Sequence, residues 1–70
     1  MEELDLHGFF HSDVELEVKN FLFLNFDKLP VRIITGRLSK MNEIVTNILQ
    51  KNGYYYDVPA HNPGEIIVLR

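Results

Sequence analysis

Leu4-Asp5-Leu6-His7-Gly8, near the start of the chain, is the stretch on which the fold turns. Apolar and polar residues alternate through it, the pattern of a strand buried on one side. Leu4 and Leu6 point to one face of a sheet, Asp5 and His7 to the other. Gly8 then ends the strand where the backbone must turn or approach another group closely. A carboxylate and an imidazole are thus brought together at the mouth of a glycine turn.

Outward from that corner the elements follow in order. Ser12 with Glu15 three residues later reads as a capping box, which predicts a helix from about Asp13 to Asp27. Val14, Val18, Phe21, Leu22 and Phe26 fall on its inner stripe. Leu16 and Phe23 lie roughly opposite. They are either ordinary surface apolar residues or a contact patch for a partner or a missing neighbouring segment. Lys28-Leu29-Pro30 stops the helix.

Val31-Arg32-Ile33-Ile34-Thr35 is a short β-branched strand, closed by Gly36 as the first was by Gly8. Ser39 is placed to cap a second helix, about Lys40 to Asn52, with Met41, Ile44, Val45, Ile48 and Leu49 inward. Asn52-Gly53 ends it. Tyr54 to Val58 reads as a third strand, closed by Pro59, and Ala60 to Gly64 as a turn loop. Glu65 to Arg70 is the fourth strand. Its consecutive apolar residues predict a central position with burial on both faces.

The order β-α-β-α-β-β predicts one α/β domain over residues 1–70, an α+β two-layer sandwich. Right-handed crossovers that step the same way put both helices on one face of the sheet and leave the other open. The two strand-to-helix corners then stand side by side at the carboxyl ends of the parallel strands, where such sheets bind ligands.

Composition sets limits. The chain has 70 residues, no cysteine and a formal net charge of -3. A domain this small buries only about 60% of its unfolded surface. Disulfides and Cys-type zinc sites are excluded, and a reducing compartment fits. The acidic balance argues against a broad nucleic-acid surface but leaves room for a local basic patch. No apolar run approaches the ~20 residues of a membrane span. The acidic Met1-Glu2-Glu3 is no secretory signal, so a cytoplasmic location without membrane partners is expected.

The first corner offers Asp5, His7 and Gly8, with His11 as a further candidate. The second offers Thr35, Gly36, Arg37, Ser39 and Lys40 ahead of a helix N-terminus, whose free N–H groups attract anions. Arg37 can pair bidentately with a phosphate. This is an anion cradle beside an imidazole, and phosphodiester chemistry is the natural reading. His7 is then the general acid or base, Asp5 orients it or stabilises its charge, and Arg37 steadies the phosphorane. Each residue also has a plainer role. His7 and Asp5 can simply bond the turn, and Arg37 and Lys40 can simply be solvated. His11 leads into the helix, His61 sits in a turn loop, and the three tyrosines suit a strand better than a base-stacking platform. Asp5 and His7 supply two metal ligands and the spacing fixes no third, so no metal site is expected.

With both corners read, the chain resembles the Smr (small MutS-related) family, found at the C-terminus of bacterial MutS2 proteins. Leu-Asp-Leu-His-Gly at positions 4 to 8 matches its first motif. Ile33-Ile34-Thr35-Gly36-Arg37 matches its second, which continues with glycine where this chain has Leu38. Leucine does not readily take a positive φ. The element order and the Pro59 to Leu69 ending are similar too.

The resemblance implies a mixed sheet in the order 1-2-4-3 and binding of DNA or RNA, with endonuclease activity in several members. It implies Asp5 and His7 as a catalytic pair, with Gly36 and Arg37 as the phosphate-binding turn. No cofactor is then required, a divalent metal being left open. It also implies a module that is often part of a larger protein, in DNA repair, recombination or ribosome rescue. The start of the first motif so near position 1 reads as a domain excised from such a protein. Two classes of function follow: an endonuclease, or a non-catalytic module that binds nucleic acid or a protein.

Overall fold

β1 (Glu3–Asp5) pairs in parallel with β2 (Val31–Ile34), Leu4 opposite Ile33 and Asp5 opposite Ile34. The computed structural model describes residues 1–37 and 39–70, Ser39 by its place in a helix alone. β4 (Glu65–Val68) runs antiparallel to β2 on its other side, and β3 (Tyr56–Asp57) closes the far edge against β4. The four-stranded mixed sheet has the order β1-β2-β4-β3. α1 (His11–Asn25) and α2 (Ser39–Lys51) pack on one face of it.

Alternation along the strands explains the layering. Val31 and Ile33 of β2, and Ile66 and Val68 of β4, are fully buried beneath the helices, as is Leu6 just after β1. α1 contributes Val14, Val18 and Leu22 to this core, and α2 contributes Met41, Val45, Ile48 and Leu49. Each fully buried Val, Leu or Ile stabilises the fold by roughly 1.5–3 kcal/mol over its exposed state. β4 is central, as its apolar run predicts. Burial on both faces is not found: Glu65 and Ile67 are only half-buried, because neither helix covers that side.

α1 corrects the expected helix start. It begins at His11, and Phe10 is its N-cap with no side-chain cap bond. The Ser12–Glu15 capping box is not formed. The Asp13 N–H donates to the Phe10 carbonyl at 3.0 Å, so the chain enters the helix directly from the preceding turn and leaves Ser12 inside it. Glu15 instead pairs with Lys19, one turn on, at 2.9 Å.

The other end is also shifted. The helix tightens into a 3-10 turn, Phe26–Lys28, before the cis Leu29–Pro30 peptide. Phe26, expected inside, is 67% exposed. Asn25 takes the inner position, three residues after Leu22, and its amide donates to the Phe21 carbonyl at 2.8 Å.

α2 begins at Ser39, the residue expected to cap it. The Ser39 side chain lies outside the described residues. The helix stops where Asn52-Gly53 predicts. The Gly53 N–H bonds the Gln50 carbonyl, and the Tyr54 N–H bonds the Leu49 carbonyl, satisfying two terminal carbonyls. β3 is shorter than the tyrosine run. Tyr55 continues its pairing through an N–H bond to the Arg70 carbonyl and a bond accepted from the Leu69 N–H.

Candidate phosphate-binding pocket

The first corner is a tight turn from Leu6 to Phe9. The Phe9 N–H donates to the Leu6 carbonyl at 3.0 Å. Gly8 stands third in the turn at φ +85, and among the described residues only glycines have a positive φ. That combination is a type II turn, which needs glycine at this place. The Asp5 carboxylate accepts the His7 N–H at 2.9 Å, so it closes the turn at the backbone. This is the turn-bonding role for Asp5; its carboxylate is placed on the His7 main chain, and no bond to the imidazole is formed. The His7 side chain is exposed.

The second corner is held from elsewhere in the chain. The Gly64 carbonyl accepts three donors: the Thr35 N–H at 2.9 Å, the Gly36 N–H at 3.1 Å and the Thr35 hydroxyl at 3.2 Å. The hydroxyl also lies 3.2 Å from the Gly36 carbonyl. Thr35 is buried and acts here as a structural pin. Gly36 has φ +74, a left-handed conformation that glycine takes at little cost. Its N–H is engaged by Gly64, so the expected cradle of free N–H groups does not include this one.

Gly64 itself leaves no room. A Cβ on it would lie 3.2 Å from the Gly36 carbonyl oxygen and 3.3 Å from its carbon. Sequence reading missed this residue as part of the site. The signal was a glycine placed directly before the central strand.

Both corners open onto one pocket of about 480 Å³. His7, Gly8 and Phe9 line it from the first corner, and Gly36, Arg37 and Met41 from the second. A Cβ at Gly8 or at Gly36 would meet nothing within 4 Å, so ligand atoms can approach the main chain there. Arg37 is exposed at the rim. Phe9 and Met41, neither of them expected at the site from the sequence, supply much of an apolar wall. His7 and Arg37 are therefore brought together.

Thr35 lines the pocket as well, whereas Asp5 and Lys40 are not among its lining residues. Asp5 is held on the turn. Lys40 is exposed on α2 with its ammonium 3.5 Å from Glu43. The Ser39 side chain and Leu38 lie outside the described residues, so the question posed by leucine in the second motif does too. Among the described residues no group of three or more His, Cys, Asp or Glu side chains gathers.

Leu16 and Phe23 are exposed on α1, as is Leu24, and Phe26 is exposed in the 3-10 turn that follows. His11 is the first residue of α1 and His61 sits in an exposed turn. Among the described residues no helix is long and apolar enough to cross a membrane. No protein-family model, curated protein or solved structure matches the chain.

Proposed function

We propose that this chain is an Smr-like nucleic-acid-binding domain that acts as an endonuclease on phosphodiester bonds. The observation that carries the reading is the shared pocket: His7 from the first motif and Arg37 from the second line the same wall. Arg37 holds the non-bridging phosphate oxygens and counters charge that grows in the transition state. His7 moves the proton. With RNA, the ribose 2′-OH gives its proton to His7 as the new O–P bond forms. The bond to the 5′-oxygen breaks, and that oxygen takes a proton from imidazolium or water. Asp5 is a positioning residue, acting through the turn that presents His7. The reaction so drawn needs no cofactor, and we place the protein in the cytoplasm as a free domain or as part of a larger repair or ribosome-rescue protein.

A nuclease assay on single- and double-stranded DNA and RNA tests this, with His7→Ala and Arg37→Ala beside the parent chain. Cleavage undiminished in both variants sinks the assignment.

A second reading, a non-catalytic binding module, is favoured by the Gly36 N–H bond to Gly64 and by the apolar wall of Phe9 and Met41. It predicts affinity without cleavage. A steep fall of nucleic-acid affinity with salt, softened in Arg37→Ala, is its expected signature.

A further inference from the structure

The face of the sheet away from the helices carries a pattern of its own. Strand register places Glu3, Arg32, Ile67 and Asp57 in one row across β1, β2, β4 and β3. Asp5, Ile34 and Glu65 form the next row. Arg32 confirms the shared face, reaching Glu3 at 3.2 Å on one side and Glu65 at 3.1 Å on the other. Its Nε points off line from the Glu65 oxygen and makes no well-aligned hydrogen bond, so this contact is an ion pair.

The face thus sets four carboxylates against Arg32, which two of them already hold, and Arg70, whose guanidinium lies 5.2 Å from the centre of the Tyr55 ring at the β3 edge. Ile34 and Ile67 lie on the adjacent central strands, half-buried and not covered by either helix. Asp5 and Glu3 stand on one edge strand and Asp57 on the other, all exposed.

We propose that this open face binds a basic amphipathic helix of a protein partner. Charge selects the class. Phosphate polymers and anionic lipid surfaces are repelled by the carboxylates, whereas lysine and arginine are attracted. Spacing selects the shape. Neighbouring strands are about 4.8 Å apart, and a helix with its side chains is about 10 Å across. Ile34 and Ile67 are also offset by two positions, about 7 Å, along their strands, on either side of the Arg32–Glu65 pair, so one apolar stripe crossing the strands obliquely covers both. Basic residues on both flanks then reach Glu3 at one edge and Asp57 at the other, while the Asp5 carboxylate stays on the His7 N–H. A helix of about 14 residues is about 21 Å long and fits a molecule measuring 28 × 27 × 20 Å.

The test uses the whole chain and three synthetic helical peptides of about 14 residues, followed by amide NMR at low salt. The first has a leucine stripe flanked by lysines. The second is a scramble of the same composition, and the third carries glutamate for lysine. Saturable binding of the first alone is expected, with shifts at Ile34, Ile67, Glu3 and Asp57 and none at His7 or Arg37. Glu3→Lys with Asp57→Lys should weaken it about tenfold, two rim contacts being reversed. The idea is overturned by absence of saturable binding, by equal binding of the scramble, or by shifts mapping to the helices. The peptide comparison stands even if the double variant does not fold. None of these outcomes depends on nuclease activity.

Discussion

At the first corner the turn is closed by its own residues; at the second it is closed by a carbonyl distant in sequence. Asp5 and Leu6 supply the acceptors that hold His7 and Phe9. Thr35 and Gly36 are held by Gly64, with Thr35 and Gly64 29 positions apart. The difference separates two jobs that the motifs alone run together. A locally closed turn leaves its outward side chain, His7, free to work on a ligand. A corner pinned by the fold gives up its donors and presents Arg37 from a fixed base. Asp5 and Thr35 are thus structural partners, one for each corner, and the chemistry proposed above falls to His7 and Arg37.

The largest expected effect tests that division directly. His7→Ala should lower cleavage by roughly 10²–10⁴-fold, the range for a general acid or base, with the melting temperature unchanged. Asp5→Asn keeps an oxygen acceptor for the His7 N–H, so activity should stay near the parent value. A loss in Asp5→Asn as deep as in His7→Ala breaks the comparison, because it means that carboxylate charge, not turn closure, is what matters.

Next is the pin itself. Gly64→Ala drives a Cβ against the Gly36 main chain, which has little freedom because its own N–H is bonded to Gly64. Overpacking of this kind costs about 1–3 kcal/mol, read by chemical denaturation, and faster hydrogen exchange at the Gly36 amide should accompany it. Gly8→Ala meets no atom within 4 Å but must hold φ +85, a strain of about 1–2 kcal/mol, without a change at Gly36. Equal exchange at Gly36 in both variants removes the claim that only the second corner is pinned from afar. Thr35→Val is milder. It deletes the hydroxyl but leaves the Gly64 carbonyl with two N–H donors, so a loss of about 0.5–1.5 kcal/mol is expected.

How much of this was legible in the sequence follows from the range of each interaction. Alternation in Leu4 to His7, the β-branched run from Val31 to Thr35 and the stripe from Met41 to Leu49 are local signals, and the elements form close to where they predict. The sheet order agrees with the order implied by the family resemblance, and the apolar run of β4 points to its central place. The same run overstates burial, since apolar content does not say which face a helix covers. The engagement of Gly36 by Gly64 was not legible, because a contact between distant residues leaves no local pattern. The carboxylates of the open face were each visible, but only register puts Glu3, Asp57 and Glu65 beside Ile34 and Ile67. The capping box misled for a related reason. Ser12 and Glu15 have the right spacing, yet the turn before them already starts the helix at His11.

That last point gives the smallest expected effect, and it concerns the exit from the first corner. The Glu15 carboxyl is held below the usual carboxylate range, first by a hydrogen bond from Lys19 and then by the charge of the same ammonium. A carboxylate with a depressed pKa in the folded state stabilises the fold above its unfolded pKa, and that contribution is lost as pH falls through the folded value. The pair is exposed, so salt screens it and its effect on stability is slight. The titration of Glu15, followed by side-chain NMR, is the sensitive readout. Lys19→Met should return Glu15 to the ordinary carboxylate range, whereas Ser12→Ala should leave it low. The converse, Glu15 left low in Lys19→Met, restores the capping box, in which the Ser12 main-chain N–H holds that carboxylate. The first corner would then owe its exit to a side-chain cap, and its closure would no longer be confined to Asp5, Leu6 and the turn they hold.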